Sequence, residues 1–192
     1  MSGAHSTLGG LGSGLSVGTT QQILLTTKDK YGNDGEYDVY GASATVTSAF
    51  SLGAAVLPTT TVNNLDGTYS VLFRTTVTGS YTFSVMLGIP AVHAAGSPRT
   101  IQMLGDKPSA SNLLVECDAC SSGVAVAAGS ASRVRTRTFD QYGNALVRGG
   151  SSLRLVFAIK LGQGTVMSIQ RSSFVMQYNA SNGSYIGDYN VR

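Results

Sequence analysis

Apolar and polar side chains alternate with a period of two in several short stretches of this 192-residue chain, and turn-forming residues separate those stretches. Ile23, Leu25 and Thr27 fall on one face ahead of the turn-rich run Asp29 to Gly35, which predicts a strand followed by a turn. Further strands are predicted over 42–49, 67–73 and 80–86, with Gly and Pro between them. In the last two, Tyr69, Val71 and Phe73 share one face, as do Tyr81, Phe83 and Val85, which is what two facing sheets of a sandwich require. Val134, Thr136 and Thr138 alternate in the same way, so Arg133, Arg135 and Arg137 form a row on the opposite, outer side. Since no helical pattern exceeds two turns, the chain is expected to be all-β.

The pattern is also duplicated. Asp29-Lys30-Tyr31-Gly32-Asn33 returns 111 positions later as Asp140-Gln141-Tyr142-Gly143-Asn144. Asp66-Gly67-Thr68-Tyr69 returns 116 positions later as Asn182-Gly183-Ser184-Tyr185. Two landmarks repeated in the same order predict a duplicated domain. The expected division is a flexible lead-in at 1–13, a first repeat at 14–107 and a second at 108–192. The polar stretch Gly105 to Asn112, which contains Pro108, is read as the end of the first repeat and a short linker.

Composition narrows the functional classes. Only 12% of residues are charged, and the 24 glycines suit tight turns. Residues 1–104 carry four Lys or Arg against five acids, and 105–192 carry nine against five. That basic footprint is too thin for a nucleic-acid binder, so no nucleic-acid partner is expected. No run of about 18 apolar residues occurs, so no membrane-spanning helix is expected either. The first ten residues lack the basic and apolar regions of a secretory signal. Compartment stays open between cytoplasmic or cytoskeletal and extracellular.

Candidate chemistry is sparse. Cys117 and Cys120 make a CxxC without the two further ligands that zinc needs, since His5 and His93 lie isolated in other segments. A surface turn with free thiols or a local disulfide is the simpler reading, and a disulfide would argue for an oxidising compartment. Asp29, Asn33, Asp34, Glu36 and Asp38 crowd one turn, but Lys30 and Gly32 stand where a calcium loop needs oxygen ligands. Two histidines without motif context do not build a catalytic triad. No catalytic, cofactor or metal residues are therefore expected. The three-arginine row is read as a solvated sheet face, with an anionic partner as the competing use. Asn179-Ala-Ser181 and Asn182-Gly-Ser184 fit the N-glycosylation pattern, which matters only in a secreted chain.

The order of the short motifs resembles the filamin-type immunoglobulin-like repeat. The first half carries Gly14-Leu15, Asp29 with Gly32-Asn33, Asp66-Gly67-Thr68-Tyr69, Gly79-Ser80-Tyr81 and Gly96-Ser97-Pro98. The second carries Gly123, Asp140 with Gly143-Asn144, Gly149-Gly150 and Asn182-Gly183-Ser184-Tyr185, without the last two motifs. In the first half Asp34-Gly35-Glu36 replaces the usual Gly-Gly pair. The resemblance implies tandem immunoglobulin-like β-sandwiches, the second truncated by the loss of its last strands.

It also implies a non-catalytic spacer that binds protein partners by adding their peptides as a strand beside the third strand. By position that edge is Leu153, Leu155, Val156, Phe157, Ala158 and Ile159 in the second repeat, where a simple buried strand is the competing reading. Such repeats occur in scaffold and cell-adhesion proteins. Actin cross-linking is implied only by family analogy, and accessory domains of a larger enzyme are the remaining alternative. Residues 108–192 alone are expected to fold poorly. Chemical denaturation should show a broad, weak transition for 108–192 beside a cooperative one for 14–104, and equal midpoints would contradict truncation.

Overall fold

The computed structural model describes residues 2–10, 12, 14–35, 45–118, 131–147, 153–161 and 168–190. Glu36, Asp38, residues 42–44, Cys120, Gly123 and Gly149-Gly150 lie outside them. All regular structure among the described residues is β, in two compact units, Met1–Asp106 and Lys107–Arg192.

The first unit contains β1 (Thr7–Gly9), β2 (Leu15–Ser16), β3 (Gln21–Thr26), β4 (Val46–Leu52), β5 (Ala55–Leu57), β6 (Thr59–Asn63), β7 (Thr68–Phe73), β8 (Gly79–Leu87), β9 (Val92–His93) and β10 (Arg99–Leu104). One sheet runs β1-β3-β7-β6; the other runs β2-β10-β8-β4-β5, with β9 beside β8. The alternation seen in sequence is the inward face of each strand: Ile23, Leu25, Val71, Phe83 and Val85 are fully buried, and Phe73 and Tyr81 nearly so. Phe50 joins them from β4, stacked on Tyr81 at 4.5 Å and tilted against Phe73 at 4.2 Å. Aromatic pairs of this kind add about 0.5–1.5 kcal/mol each beyond the area they bury. Tyr81 also donates its hydroxyl hydrogen to the Val77 carbonyl at 2.8 Å, the tyrosine corner of immunoglobulin-type sandwiches.

Within the stretch expected as a flexible lead-in, Thr7–Gly9 form an edge strand. β1 pairs antiparallel with β3, and Ser6 is buried, its Oγ accepting from the Lys28 amide at 3.0 Å. Three residues are too few for a period of two to register against a Gly- and Ser-rich background.

The second unit contains β11 (Pro108–Cys117), β12 (Ala131–Asp140), β13 (Arg154–Leu161), β14 (Ser168–Val175), β15 (Gln177–Asn179) and β16 (Ser184–Asn190). Its four-stranded sheet runs β11-β12-β16-β15, the same order of counterparts as β1-β3-β7-β6, and β13-β14 form an antiparallel pair like β4-β5. The supposed linker is part of this sheet, because β11 begins at Pro108, a position in an edge strand that can spare an N–H. Val134, Thr136 and Thr138 face inward and are buried, and Val134 packs with Met176 and Tyr185.

Glycine is demanded where two turns of the first unit meet. Thr27 donates from its amide and its Oγ1 to the Gly67 carbonyl at 3.1 and 2.6 Å, while the Gly35 amide donates to the Thr27 carbonyl at 2.8 Å. Gly67 has φ +83°, and an added Cβ would strike the Gly35 carbonyl; Gly32, at φ +88°, faces open space. Gly32→Ala should therefore cost only the left-handed penalty of about 1–2 kcal/mol. Gly67→Ala should cost a further ~1–3 kcal/mol for the clash. Urea denaturation of both variants checks this, and equal losses would show that the turn contact is not tight.

Candidate functional site

The repeated pentapeptides fold alike down to individual hydrogen bonds. Asp29 Oδ1 accepts from the Tyr31 and Asn33 amides at 2.8 and 2.9 Å, and Oδ2 accepts from Asn33 Nδ2 at 2.8 Å. Asp140 Oδ1 accepts from the Tyr142 and Asn144 amides at 2.9 Å each, and its Oδ2 from Asn144 Nδ2 at 2.8 Å. In both copies the Asp amide donates to the Asn carbonyl and the Gly amide to the Asp carbonyl. The second landmark repeats as closely: Asp66 Oδ1 accepts from the Thr68 amide and hydroxyl, and Asn182 Oδ1 from the Ser184 amide and hydroxyl. These oxygens hold backbone and turn side chains, as turn chemistry requires.

Electrostatics follow from these bonds. The Asn33 side-chain amide, helped by backbone N–H donors, holds the Asp29 carboxyl below the ordinary aspartate range. The Thr68 hydroxyl does the same for Asp66. Lys28 Nζ bridges the Gly32 carbonyl and the Asp34 carboxylate at 3.2 and 2.7 Å, so the acids expected to crowd one loop are partly paired within it.

Arg133 and Asp188, cross-strand partners on β12 and β16, form the shortest contact of the arginine row, at 2.7 Å from Nε to Oδ1. That hydrogen bond lowers the Asp188 pKa and raises that of Arg133. Arg135 lies 3.9 Å from Asp118. The first two charges of the row, Arg133 and Arg135, thus have acidic neighbours, which sequence distance concealed. Arg133, Asp188, Ile186, Gln177 and Asn179 line an open groove of about 670 Å³ on this outer face.

The remaining candidates are dispersed. His5 Nδ1 meets Ser2 Oγ at 3.0 Å and His93 Nδ1 meets Ser97 Oγ at 3.2 Å, while Ser97 Oγ also accepts from the Val85 amide. Asn179 closes its own turn by accepting from the Ser181 amide and hydroxyl. Cys117 is disulfide-bonded, and its sulfur lies 3.6 Å from the Tyr189 hydroxyl. Among the described residues no helix is long and apolar enough to cross a membrane.

The expected peptide edge is β13. Its residues 155–159 pair in continuous register with β14, from Leu155 opposite Phe174 to Ile159 opposite Gln170. Leu153 precedes the strand, is half-buried, and packs against the Val134, Met176 and Tyr185 cluster. The edge toward β14 is therefore occupied. Sequence reasoning missed a second feature of this unit: Leu113 and Val115 on β11 are 40% and 52% exposed although they pair with Thr138 and Thr136, which face inward. The consecutive apolar run Leu113-Leu114-Val115 shows no alternation, and the polar, proline-bearing start of the strand read as a linker.

No family model and no curated protein matches the chain. Solved structures do match. The FdeC adhesin of Escherichia coli aligns at TM-score 0.60 and 18% identity, over 98% of this chain and 56% of that one. Invasin, described as a bacterial integrin-binding protein, aligns at TM-score 0.61 and 16% identity, over 96% of this chain and 34% of that one. InvD of Yersinia pseudotuberculosis aligns at TM-score 0.52 and 18% identity, over 99% and 50%. The fold is an all-β, immunoglobulin-like sandwich type. The chain spans about a third to just over half of the length of these structures.

Titration of side-chain carboxyl ¹³C shifts should place Asp29, Asp66 and Asp188 below the unperturbed value of about 3.9. Since each folded pKa lies below the unfolded one, the stabilisation is complete above about 3.9 and fades as pH falls through the lower folded value. Asp29→Asn should remove its share of that acid dependence. A midpoint for Asp29 at or above about 3.9 would contradict the turn geometry.

Proposed function

We propose that this chain is a non-catalytic binding and spacer module of a surface adhesion protein, built from tandem immunoglobulin-like sandwiches that engage protein partners by strand addition at β13. One observation carries the reading: the acidic and amide side chains of the repeated motifs are spent on holding turns. What remains exposed for function is sheet face and strand edge. The likeness of fold to adhesins supports the setting, as does the disulfide at Cys117, since disulfides persist in oxidising compartments. The filamin-type reading of each unit rests on motif order, and each matched motif of the first half lies at a turn or strand entry. Cytoskeletal cross-linking would place the chain in a reducing compartment, which the disulfide disfavours.

The test is surface labelling of intact cells that express the native parent protein, combined with thiol alkylation before lysis. The expected outcome is labelling by a membrane-impermeant reagent, with Cys117 and Cys120 unreactive until reduced. A protein shielded on intact cells, with both thiols alkylated at once, would overturn the surface reading in favour of a cytoskeletal one.

A further inference from the structure

Register fixes which side chains share the outer face of the sheet β11-β12-β16-β15. Val134 points inward and is buried, so Arg133 beside it points outward, and directly paired residues project to the same side. Asp188, paired with Arg133, and Ile186, paired with Arg135, therefore lie on the outer face, as does Gln177, paired with Ile186. In a two-sheet sandwich this side is turned away from the facing sheet. Arg133, Asp188, Ile186, Gln177, Asn179 and Val175 line the open groove of about 670 Å³ there.

The groove has an origin in the strands. β15 begins only at Gln177, opposite Ile186, whereas its counterpart β6 begins at Thr59, opposite Phe73. Phe73 corresponds to Tyr189 (189 − 73 = 116), so the edge strand of the second unit joins its neighbour later. Val175 ends β14 and precedes β15, and the groove opens beside Asp188, which β15 does not reach.

The duplicate also changes the chemistry of this face. Gln22 pairs with Leu72 in the first unit as Arg133 pairs with Asp188 in the second, 133 − 22 = 111 and 188 − 72 = 116 positions on. In the first unit Gln22 Nε2 donates to Ser70 Oγ at 2.8 Å and Ser70 Oγ donates to Asn64 Oδ1 at 3.1 Å, so these polar groups are spent on one another. In the second, Ile186 stands at the Ser70 position and an ion pair at the Gln22 and Leu72 positions. The two side chains of that pair are 47% and 59% exposed, and such a pair adds little to stability, so the fold does not account for it.

The pair engages Arg133 through Nε and Nη2, each toward one Asp188 oxygen. Both terminal nitrogens of Arg133 keep N–H donors, and both carboxylate oxygens keep lone pairs. Asn179 Oδ1 is taken by the Ser181 amide and hydroxyl, which leaves Nδ2 as a donor, and the exposed Gln177 amide offers both a donor and an acceptor. Ile186 and Val175 supply an apolar strip. Since the charges of Arg133 and Asp188 cancel, the groove favours neither an acidic nor a basic ligand. It matches an uncharged molecule with closely spaced hydroxyls, each a donor and an acceptor, and an apolar C–H face. Its volume lies in the range of small-ligand sites, about 300–1,000 Å³. A polypeptide strand would need a longer run of edge amides than the three residues of β15.

We propose that this groove is a saccharide-binding site, which takes a neutral oligosaccharide with its hydroxyls on Arg133, Asp188 and Gln177 and a ring face on Ile186. The site is separate from the β13 edge and does not depend on strand addition there.

The test is titration of the ¹⁵N-labelled full chain with cellotetraose, chitotetraose and mannotetraose, beside a heparin tetrasaccharide as the acidic control and a peptide of residues 59–63, the chain's own β6, as the polypeptide control. At least one neutral tetrasaccharide should shift the amides of Gln177–Asn179 and 186–188 saturably, with an affinity that added salt leaves unchanged. Gln177→Ala and Asp188→Asn should each weaken that binding at least fivefold, with the amide spectrum of the first unit unaltered. Arg137→Ala, on the same row but outside the groove, should leave it intact. Binding of none of the three, tighter binding of heparin or of the peptide, or an equal loss in Arg137→Ala would each overturn the proposal.

Discussion

Every backbone amide at a strand exit must find an acceptor once the sheet ladder ends, and this constraint organises both units. At the ends of β3 and β12 an aspartate supplies it, with one oxygen taking two amides and the other fixed by the asparagine four residues on. The turn then redirects the chain so that an amide further along reaches back: Gly35 to Thr27 in the first unit, Leu146 to Thr138 in the second. In the first unit that loop is locked to the β6-β7 turn through Thr27 and Gly67, which sets two connections of one sheet against each other. Asp140 is fully buried, with Asn112 Nδ2 donating to its carbonyl, so the second copy has enclosed the same device. A buried carboxylate is tolerable only when its oxygens are paired, and here they are.

With turns fixed in this way, the two units diverge in what fills them. The first is closed by aromatic side chains from both sheets, Phe50 lying between Phe73 and Tyr81. The second presents Thr136 where the first has Leu25, and Thr136 Oγ1 donates to Met176 Sδ at 3.6 Å. Threonine keeps the β-branched shape a strand favours but contributes less apolar area than isoleucine or leucine. The turns therefore fix the topology in both units, whereas among the side chains whose burial is described the fully buried apolar ones belong to the first.

Much of the architecture was legible because period-two alternation and turn chemistry are local signals. Ile23, Leu25 and Thr27, the facing sets on β7 and β8, and the outward arginines of β12 could all be placed from spacing alone. What was not legible depended on contacts across the sheet. β1 escaped notice because three residues carry no period, and β11 because Pro108 and a run of Ser and Asn looked like a linker. The pairing of Arg133 with Asp188 spans 55 positions and follows from β12-β16 register, which no motif encodes. The edge at Leu155 to Ile159 was located as a strand, but which of its sides was taken could be seen only from the β14 pairing.

Edge length separates the units more sharply than composition does. In the first unit the outermost strands are short: β1 and β5 have three residues each, β2 has two and β6 five. Short edges give an incoming strand little to pair with, which is how sandwiches avoid sticking to one another. In the second unit β15 is equally short, yet β13 and β14 have eight residues each and β11 has ten, with Leu113, Leu114 and Val115 exposed along it. Glu116 and the proline at its start blunt β11 against indiscriminate pairing, but a long apolar edge remains costly to leave in water. Among the described residues, then, the edges of the first sandwich are short, whereas its duplicate carries a ten-residue edge strand with apolar side chains exposed along it.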